Sequence, residues 1–272
     1  MRFTKMNGLG NDYIFLDGTE KIPKLSRREI IKLCDRNFGI GGDGVVVVTK
    51  SEKADFGMII YNSDGSTAEM CGNALRCLAK YAFQSKLTTD KYLKIETGGG
   101  MRFVKINSDG TVTANMRKPV SDFVLTKIPL DTVIQGYKIS AGNPHFVVFC
   151  SSIDPLFDLY GAKLSENTAF FPERTNVEFA KLSSSDNFAL VRVYERGSGE
   201  TLACGTGATA VFEAAYHFGY LKDNAVIKLR GGILHCSHNS KGEVLIRGDA
   251  DFNFIGETDL LTEEKILYGE GK

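Results

Sequence analysis

Apolar residues recur at a spacing of three to four positions in three stretches, which predicts amphipathic helices. The first, SRREIIKLCDRNF, begins with a capping box in which Glu29 follows the capping Ser26 by three residues. Its buried face is expected to contain Ile30, Ile31, Cys34 and Phe38. The other two, NALRCLAKYAF from residue 73 and TGATAVFEAAYHF from residue 206, are rich in good helix formers. Each of these two helices is therefore predicted to start directly at a Cys-Gly pair.

Short uninterrupted apolar runs predict buried strands, as in VVVVT at 45–49 and HFVVFC at 145–150. Two similar turns, NSDG at 107–110 and NSKG at 239–242, each join two strand-like runs. Many strands bounded by glycines, with one prominent helix in each half, predict an α+β architecture with largely antiparallel sheets.

The chain matches itself at an offset of 132 to 133 residues. Landmarks that align in the same order are Gly10-Asn11 with Gly142-Asn143, Tyr61 with Tyr194, Cys71-Gly72 with Cys204-Gly205, and Gly98-Gly99 with Gly231-Gly232. The shared order indicates a duplicated unit, so two pseudo-symmetric domains are expected. We place the boundary in KPVSD, which gives an N-terminal domain at 1–119 and a C-terminal domain at 120–261.

Composition narrows the classes of partner. The 272 residues are 43% hydrophobic, and 33 basic residues balance 33 acidic ones without a long run of either sign. A partner of small-molecule type is expected, with no nucleic acid and no membrane. GLGNDY lacks the third glycine of a dinucleotide fingerprint and GGDG lacks the Lys-Ser/Thr of a P-loop, so no nucleotide cofactor is expected. No apolar run is long enough to span a membrane and no signal peptide is evident, so a cytoplasmic location is expected.

Six cysteines without a CxxC pair argue against a disulfide scaffold or a structural zinc site. His235 and His238 are three apart on a predicted strand and would point to opposite faces, so no metal site is expected. Four of the cysteines lie in apolar or helical patterns and are interpreted as packing residues: Cys34, Cys77, Cys150 and Cys236.

Cys71 and Cys204 have a second interpretation. A single cysteine before a helix is ordinarily a packing residue, but two equivalent ones in a duplicated chain favour a function. The first turn of a helix carries unpaired N–H groups and partial positive charge, which lower the pKa of a thiol and hold a carboxylate. If the two helix starts face one another across a cleft, a thiolate and a thiol could remove a proton from one face of a carbon and return one to the other. This pattern predicts racemisation or epimerisation without a cofactor.

Five motifs occur in order along nearly the whole chain: KMNGLGND at 5–12, NSDGSTAEMCGNALRC at 62–77, GNPHFV at 142–147, FPERTNV at 171–177 and ERGSGETLACGTGA at 195–208. With these motifs the sequence resembles the diaminopimelate epimerase family. The resemblance implies epimerisation of LL-2,6-diaminopimelate to meso-diaminopimelate without pyridoxal phosphate, in lysine and peptidoglycan precursor biosynthesis. It also implies two similar domains, each a mainly antiparallel barrel-like sheet around a central helix, with the chain end at about 262–272 returning to the first domain, and a homodimer.

The resemblance assigns roles residue by residue. Cys71 and Cys204 match the catalytic acid/base pair, one for each configuration of the substrate. The segments that bind the reacting carboxylate are Gly72-Asn73 and Gly205-Thr206. The residues that hold the distal amino-acid end are Asn62, Asn143, Asn176 and Arg196. Asn11 matches a substrate-binding residue, Glu195 lies near the substrate ammonium, and His145 with Glu195 matches a pair that modulates the pKa values of the cysteines.

Several positions depart from the family pattern. Asn7 stands where histidine is frequent, Tyr13 where phenylalanine is frequent, and Ala74 where glycine is usual. Gly44 stands where some members have a substrate-contacting glutamine, and a glycine offers only its backbone.

Other interpretations of these residues stay open at this stage. Without the resemblance, Asn11 and Asn143 also fit turns, and Glu195-Arg196 fits a surface ion pair. The alternative functions are a related racemase or epimerase, without pyridoxal phosphate, of another amino acid, such as the proline type, and a non-catalytic amino-acid-binding module.

Overall fold

The computed structural model describes residues 1–261; the stretch 262–272, which the sequence predicts to return to the first domain, lies outside the described residues. The elements up to residue 106 are β1 (Arg2–Gly8), β2 (Asn11–Gly18), α1 (Arg27–Cys34), β3 (Gly44–Thr49), β4 (Phe56–Asn62), β5 (Thr67–Ala68), α2 (Gly72–Gln84), β6 (Tyr92–Thr97) and β7 (Gly100–Ile106). The later elements are β8 (Val112–Asn115), β9 (Leu125–Pro129), β10 (Val133–Ser140), β11 (Pro144–Phe149), α3 (Asp154–Ser165), β12 (Asn176–Ser183), β13 (Phe188–Glu195), β14 (Gly199–Thr201), α4 (Gly205–His217), β15 (Ala225–Leu229), β16 (Gly232–His238), β17 (Val244–Gly248) and β18 (Asp251–Glu257).

The described chain divides into two compact units. Of the described residues, the first contains Met1–Val112 together with 249–261, and the second contains Thr113–Gly248. The division thus falls a few residues before the boundary placed at 119/120. The chain also returns to the first unit earlier than expected, because β18 pairs antiparallel with β1 along Arg2–Asn7.

In the first unit, β2 pairs antiparallel with β1 and parallel with β3. β4 then pairs antiparallel with β3 and β5 and parallel with β6, and β6 pairs antiparallel with β7. The two parallel pairs are the ones whose connections contain a helix, because parallel neighbours need a long crossover.

The second unit repeats this pairing pattern. β11 pairs antiparallel with β10 and parallel with β12, across α3. β13 pairs antiparallel with β12 and β14 and parallel with β15, across α4, and β15 pairs antiparallel with β16. The same sequence of parallel and antiparallel pairs in both units agrees with the duplication read from the sequence, and the mainly antiparallel α+β architecture is confirmed.

Each unit encloses one helix almost completely. Residues 72–79 of α2 and 205–215 of α4 are all buried. The strands against which α4 packs are β10, β11, β12, β15, β16 and β17. A helix buried on every side must be surrounded by other elements, which is the arrangement of a sheet curved around a central helix. Among the described residues no helix is long and apolar enough to cross a membrane.

The first predicted helix is correct at its start and wrong at its end. Ser26 and Glu29 form the capping box, and α1 then ends at Cys34. The Asp35 carboxylate accepts the backbone N–H groups of Asn37 and Phe38, which turns the chain out of the helix. Phe38 is therefore 83% exposed and Ile31 44% exposed, and the buried face is formed by Ile30, Leu33 and Cys34.

Candidate active site

Cys71 and Cys204 are the N-cap residues of α2 and α4, as the sequence predicts. Both have extended backbone conformations, which suits a residue that ends a loop and accepts the first helical bond with its carbonyl. At α4 the Gly207 N–H also donates to Cys204 Sγ at 3.4 Å. The two thiols thus have equivalent positions in the duplicated units.

In the first unit, polar side chains from β2 and α2 meet at Cys71. Asn11 Oδ1 accepts hydrogen bonds from Tyr13 Oη at 2.7 Å and from Asn73 Nδ2 at 3.0 Å. Cys71 Sγ lies 3.0 Å from Tyr13 Oη and 3.7 Å from Asn11 Oδ1. The Oδ1 atom of the buried Asn73 accepts from Arg76 at 2.9 Å, so its amide is engaged at both ends. Three predicted site residues, Asn11, Cys71 and Asn73, therefore form one cluster.

Asp43 supports this cluster, and the sequence did not indicate it as a site residue. Its Oδ2 atom accepts from Asn11 Nδ2 at 2.7 Å and from the Asp12 N–H at 3.1 Å, while its Oδ1 atom accepts from Arg36 at 2.8 Å. Because Nδ2 of Asn11 is held by Asp43, its Oδ1 is directed toward Tyr13 and Asn73. The available signal was the aspartate in the GGDG motif, which lacks the features of a phosphate-binding loop.

Asn62 lies near this cluster along the sheet. Gly44 pairs with Tyr13 on one side and with Asn62 on the other. A Cβ atom at Gly44 would lie 2.3 Å from the Tyr61 carbonyl oxygen and 3.2 Å from the Tyr13 ring, so no side chain fits there. The exposed Asn62 donates from Nδ2 to Ser66 Oγ at 2.9 Å.

In the second unit, Cys204 lies beside a carboxylate. Cys204 Sγ donates to Glu195 Oε2 at 3.4 Å and lies 3.4 Å from Thr206 Oγ1, while Thr201 Oγ1 donates to Glu195 Oε1 at 2.6 Å. Burial raises the pKa of the Glu195 carboxyl. Burial, with the charges of Glu195 and Glu178, raises the pKa of the Cys204 thiol well above its usual value. The expectation of a lowered pKa is therefore wrong for Cys204, since burial and the carboxylates outweigh the helix start.

Glu178 is a second residue that the sequence did not indicate. The wholly buried His145 and Glu178 side chains meet at 2.7 Å between Nδ1 and Oε1, while His145 Nε2 lies 3.0 Å from Asn143 Oδ1. Glu178 Oε2 is buried without a hydrogen-bond partner. The ring predicted to act with Glu195 thus bonds directly to Glu178. A charged residue in the middle of the apolar strand NVEFA was the available signal.

Asn176 organises the segment that contains Arg196. Its Oδ1 atom accepts the Arg196 backbone N–H at 2.8 Å, and its Nδ2 atom donates to the Pro144 carbonyl at 3.2 Å. The exposed Arg196 guanidinium donates to the Glu173 carbonyl at 2.8 Å. Asn143, His145 and Glu173 line the same surface pocket of this unit.

The other four cysteines have the surroundings of packing residues. Cys34, Cys77 and Cys236 are buried, and Cys150 is half-buried against the core of the second unit. Burial raises the pKa of Cys34 to about 11 and that of Cys77 to about 12, so both are thiols at neutral pH. Within residues 1–261 no group of three or more His, Cys, Asp or Glu side chains is arranged to hold a metal ion.

The duplicated fold with a helix-capping cysteine in each unit defines a class of two-unit α+β proteins. A probable proline racemase from Agrobacterium radiobacter K84 shares the fold, with a TM-score of 0.73 at 15% identity over 94% of this chain and 92% of that one. The chain belongs to the diaminopimelate epimerase family, whose profile matches residues 3–121 and 137–252.

Two relatives in that family have similar lengths. The diaminopimelate epimerase of Leptospira biflexa is 40% identical over 279 residues, covering 96% of this chain and 99% of its own. That of Acetivibrio thermocellus is 40% identical over 280 residues with the same coverage. The protein is therefore an isomerase of the epimerase type.

Proposed function

We propose that this protein interconverts LL- and meso-2,6-diaminopimelate by a two-base mechanism with Cys71 and Cys204 as the proton-transfer groups. The observation that carries the proposal is that equivalent N-cap positions of the two central helices both hold a cysteine. Family membership supplies the substrate, since the relatives are named for it.

In one direction the Cys71 thiolate removes the α-proton, and the electron pair of the C–H bond passes into the adjoining carboxylate. The Cys204 thiol then donates its proton to the opposite face of the same carbon, so that carbon is inverted. Cys71 finishes as a thiol and Cys204 as a thiolate, and the reverse direction exchanges their roles. That the two cysteines face one another across the substrate stays a prediction from the sequence repeat.

The reacting carboxylate is assigned to the helix starts Gly72-Asn73 and Gly205-Thr206. Backbone N–H groups in the first turn of a helix carry partial positive charge, which stabilises the negative charge that develops when the α-proton leaves. Engagement of the Asn73 side chain with Asn11 and Arg76 assigns this role to the backbone at residue 73.

The Cys204 environment supports a role as proton donor. Its raised pKa keeps it a thiol at neutral pH, and Glu195 accepts its hydrogen bond. We assign the substrate ammonium to the neighbourhood of Glu195, where positive charge would offset the carboxylate. The distal amino-acid end is assigned to Asn62, Asn143, Asn176 and Arg196, with Arg196 suited to a carboxylate.

Three further expectations accompany the proposal. The reaction is expected to need no pyridoxal phosphate, because the thiols and helix starts provide the base, the acid and the charge stabilisation. A cytoplasmic location is supported by the six free cysteines, because a reducing compartment preserves thiols. Homodimer formation is carried forward from the family resemblance.

The direct test is conversion of LL- to meso-diaminopimelate by the purified protein without added pyridoxal phosphate. Replacing Cys71 or Cys204 by alanine is expected to lower the rate by about 10²–10⁴-fold. Cys150→Ala is the matched control and is expected to retain activity, since Cys150 lies against the core of the second unit. Full activity in either Cys71→Ala or Cys204→Ala contradicts the mechanism.

A substrate panel separates the alternatives. Inversion of proline or hydroxyproline, with none of diaminopimelate, identifies a racemase of the proline type. Tight binding of an amino acid without exchange of its α-proton identifies a binding module.

A further inference from the structure

We propose that Tyr13 is a positioning residue for Cys71, and that its hydroxyl hydrogen-bonds the sulfur atom in both of the protonation states that the proposed function requires. The first observation is contact: Tyr13 Oη lies 3.0 Å from Cys71 Sγ and 2.7 Å from Asn11 Oδ1. The inference rests on the two-base function in one respect only, namely that Cys71 alternates between thiol and thiolate.

A hydroxyl is the group that this alternation needs. It carries one proton that rotates between acceptors, and lone pairs that accept. When Cys71 is a thiol, its S–H can donate to Tyr13 Oη while the phenol proton points to Asn11 Oδ1. When Cys71 is a thiolate, the phenol proton turns to the sulfur atom. Asn11 Oδ1 can only accept a hydrogen bond, so it serves the thiol but not the thiolate.

The duplication provides a second and independent observation. Tyr13 precedes His145 by 132 residues, the offset that also aligns Asn11 with Asn143. Each ring follows its asparagine by two residues, and each bonds the Oδ1 atom of that asparagine, Tyr13 at 2.7 Å and His145 at 3.0 Å. The two rings occupy equivalent register positions, because Tyr13 pairs with the first residue of β3 and His145 with the first residue of β12. The first unit therefore holds a proton-bearing ring where the second holds His145.

Packing fixes the Tyr13 ring in this position. The side chain is buried, and its edge occupies the space beside Gly44, where a Cβ atom would come within 3.2 Å of the ring. A phenylalanine would keep the same packing and lose one oxygen atom.

The charged groups around the cluster come from three elements. Arg76 of α2 donates to Asn73; Asp43, which precedes β3, accepts from Asn11; and Arg36, which follows α1, donates to Asp43. Arginine side chains stay protonated across the neutral range, so the pH dependence of alkylation follows the Cys71 thiol directly.

The test is the pH dependence of iodoacetamide alkylation at Cys71 in the substrate-free protein, read by mass spectrometry of the peptide that contains it. Loss of one hydrogen bond to a charged atom in Tyr13→Phe is expected to raise the midpoint by about one pH unit. At a pH below both midpoints, alkylation is then about tenfold slower. Tyr81→Phe is the matched control, because it removes another largely buried hydroxyl of the same unit from a ring stacked on Phe15. Its midpoint is expected to equal that of the wild type.

A second variant separates hydrogen bonding from packing. Incorporation of 4-aminophenylalanine at residue 13 keeps an uncharged hydrogen-bond donor on the same ring, so it is expected to bring the midpoint back toward that of the wild type. A midpoint in Tyr13→Phe equal to that of the wild type overturns the proposal. Equally raised midpoints in Tyr13→Phe and the 4-aminophenylalanine protein also overturn it, because that result shows a packing effect.

The epimerase rate provides a separate readout. In Tyr13→Phe, kcat/KM is expected to fall by the same factor in both directions, because the equilibrium constant between the isomers is fixed. The alkylation result does not depend on turnover. A protein without epimerase activity but with the expected shifts would contradict the proposed function and leave the Tyr13 contact intact.

Discussion

Glu195 Oε2 accepts a hydrogen bond from Cys204 Sγ at 3.4 Å, at the start of the buried helix α4. The pKa of each group lies above its ordinary value, mainly because burial disfavours the charged form. The helix start and the Gly207 N–H oppose this effect at the sulfur atom but are outweighed. Ionisation of either Glu195 or Cys204 therefore destabilises the folded protein.

Glu195→Gln is expected to stabilise the folded protein at pH 7. The pKa of Glu195 is raised from 4.5, so its contribution to stability is fully present below pH 4.5 and is lost as the pH rises through the folded value. Glutamine does not ionise and avoids that loss. The measurement is the free energy of unfolding in urea at a series of pH values, and the advantage of the variant is expected to disappear below pH 4.5.

Glu200→Gln is the matched control in the neighbouring strand and has the opposite sign. Arg192 and Arg230 lower the pKa of Glu200 below 4.5, so its stabilisation is present above that pH and is lost as the pH falls through the folded value. The control is expected to be less stable than the wild type at pH 7. If Glu195→Gln is also less stable at pH 7, the ionised Glu195 carboxylate does not destabilise the folded protein and the interpretation is wrong.

Glu178→Gln is expected to make Cys204 easier to ionise. The Glu178 charge raises the pKa of Cys204, and its carboxylate lies so close to α4 that a Cβ atom at Gly207 would be 2.7 Å from Oε1. The pH midpoint for alkylation of Cys204 should therefore fall. Glu213 on α4 provides the control, because its carboxylate also contacts a histidine, His238, at 3.0 Å. Glu213→Gln should leave the alkylation midpoint of Cys204 unchanged. Equal shifts in the two variants would contradict a specific effect of Glu178.

Asp43→Ala is expected to raise KM for the substrate by about tenfold, the effect of losing one hydrogen bond to a charged group. The reason is that Asp43 holds Asn11 Nδ2 and so fixes the direction of Asn11 Oδ1 toward the cluster at Cys71. Steady-state kinetics give KM and kcat separately. Asp17→Ala removes a carboxylate that bonds within its own turn at Thr19 and should leave KM unchanged. An unaltered KM in Asp43→Ala would show that Asn11 does not depend on this contact.

Local sequence patterns were sufficient for the starts of α1, α2 and α4. Small residues after a cysteine, followed by helical periodicity, placed Cys71 and Cys204 at the N-caps, and the capping box placed the start of α1. The end of α1 was missed because the Asp35 side chain competes for backbone N–H groups, an effect that periodicity does not report.

Local sequence patterns do not predict contacts between residues on different strands. Glu178 reaches His145 through the parallel pairing of β11 with β12, and Asp43 reaches Asn11 beside the pairing of β2 with β3. A glutamate on a strand ordinarily indicates a solvent-facing side, but residues 176–180 of β12 are all buried. The surroundings of Cys204 likewise depend on two carboxylates that come from other strands. The sequence showed which residue types were present, whereas the effect of burial and charge on their pKa values depends on the fold.

The most direct test of the two-base account is inversion of LL-diaminopimelate in heavy water, followed by mass spectrometry and NMR of the product. Removal of the α-proton by one thiol and donation from the other predicts that each newly formed meso molecule carries deuterium at the inverted carbon. Inversion that retains the original hydrogen at that carbon would contradict the mechanism.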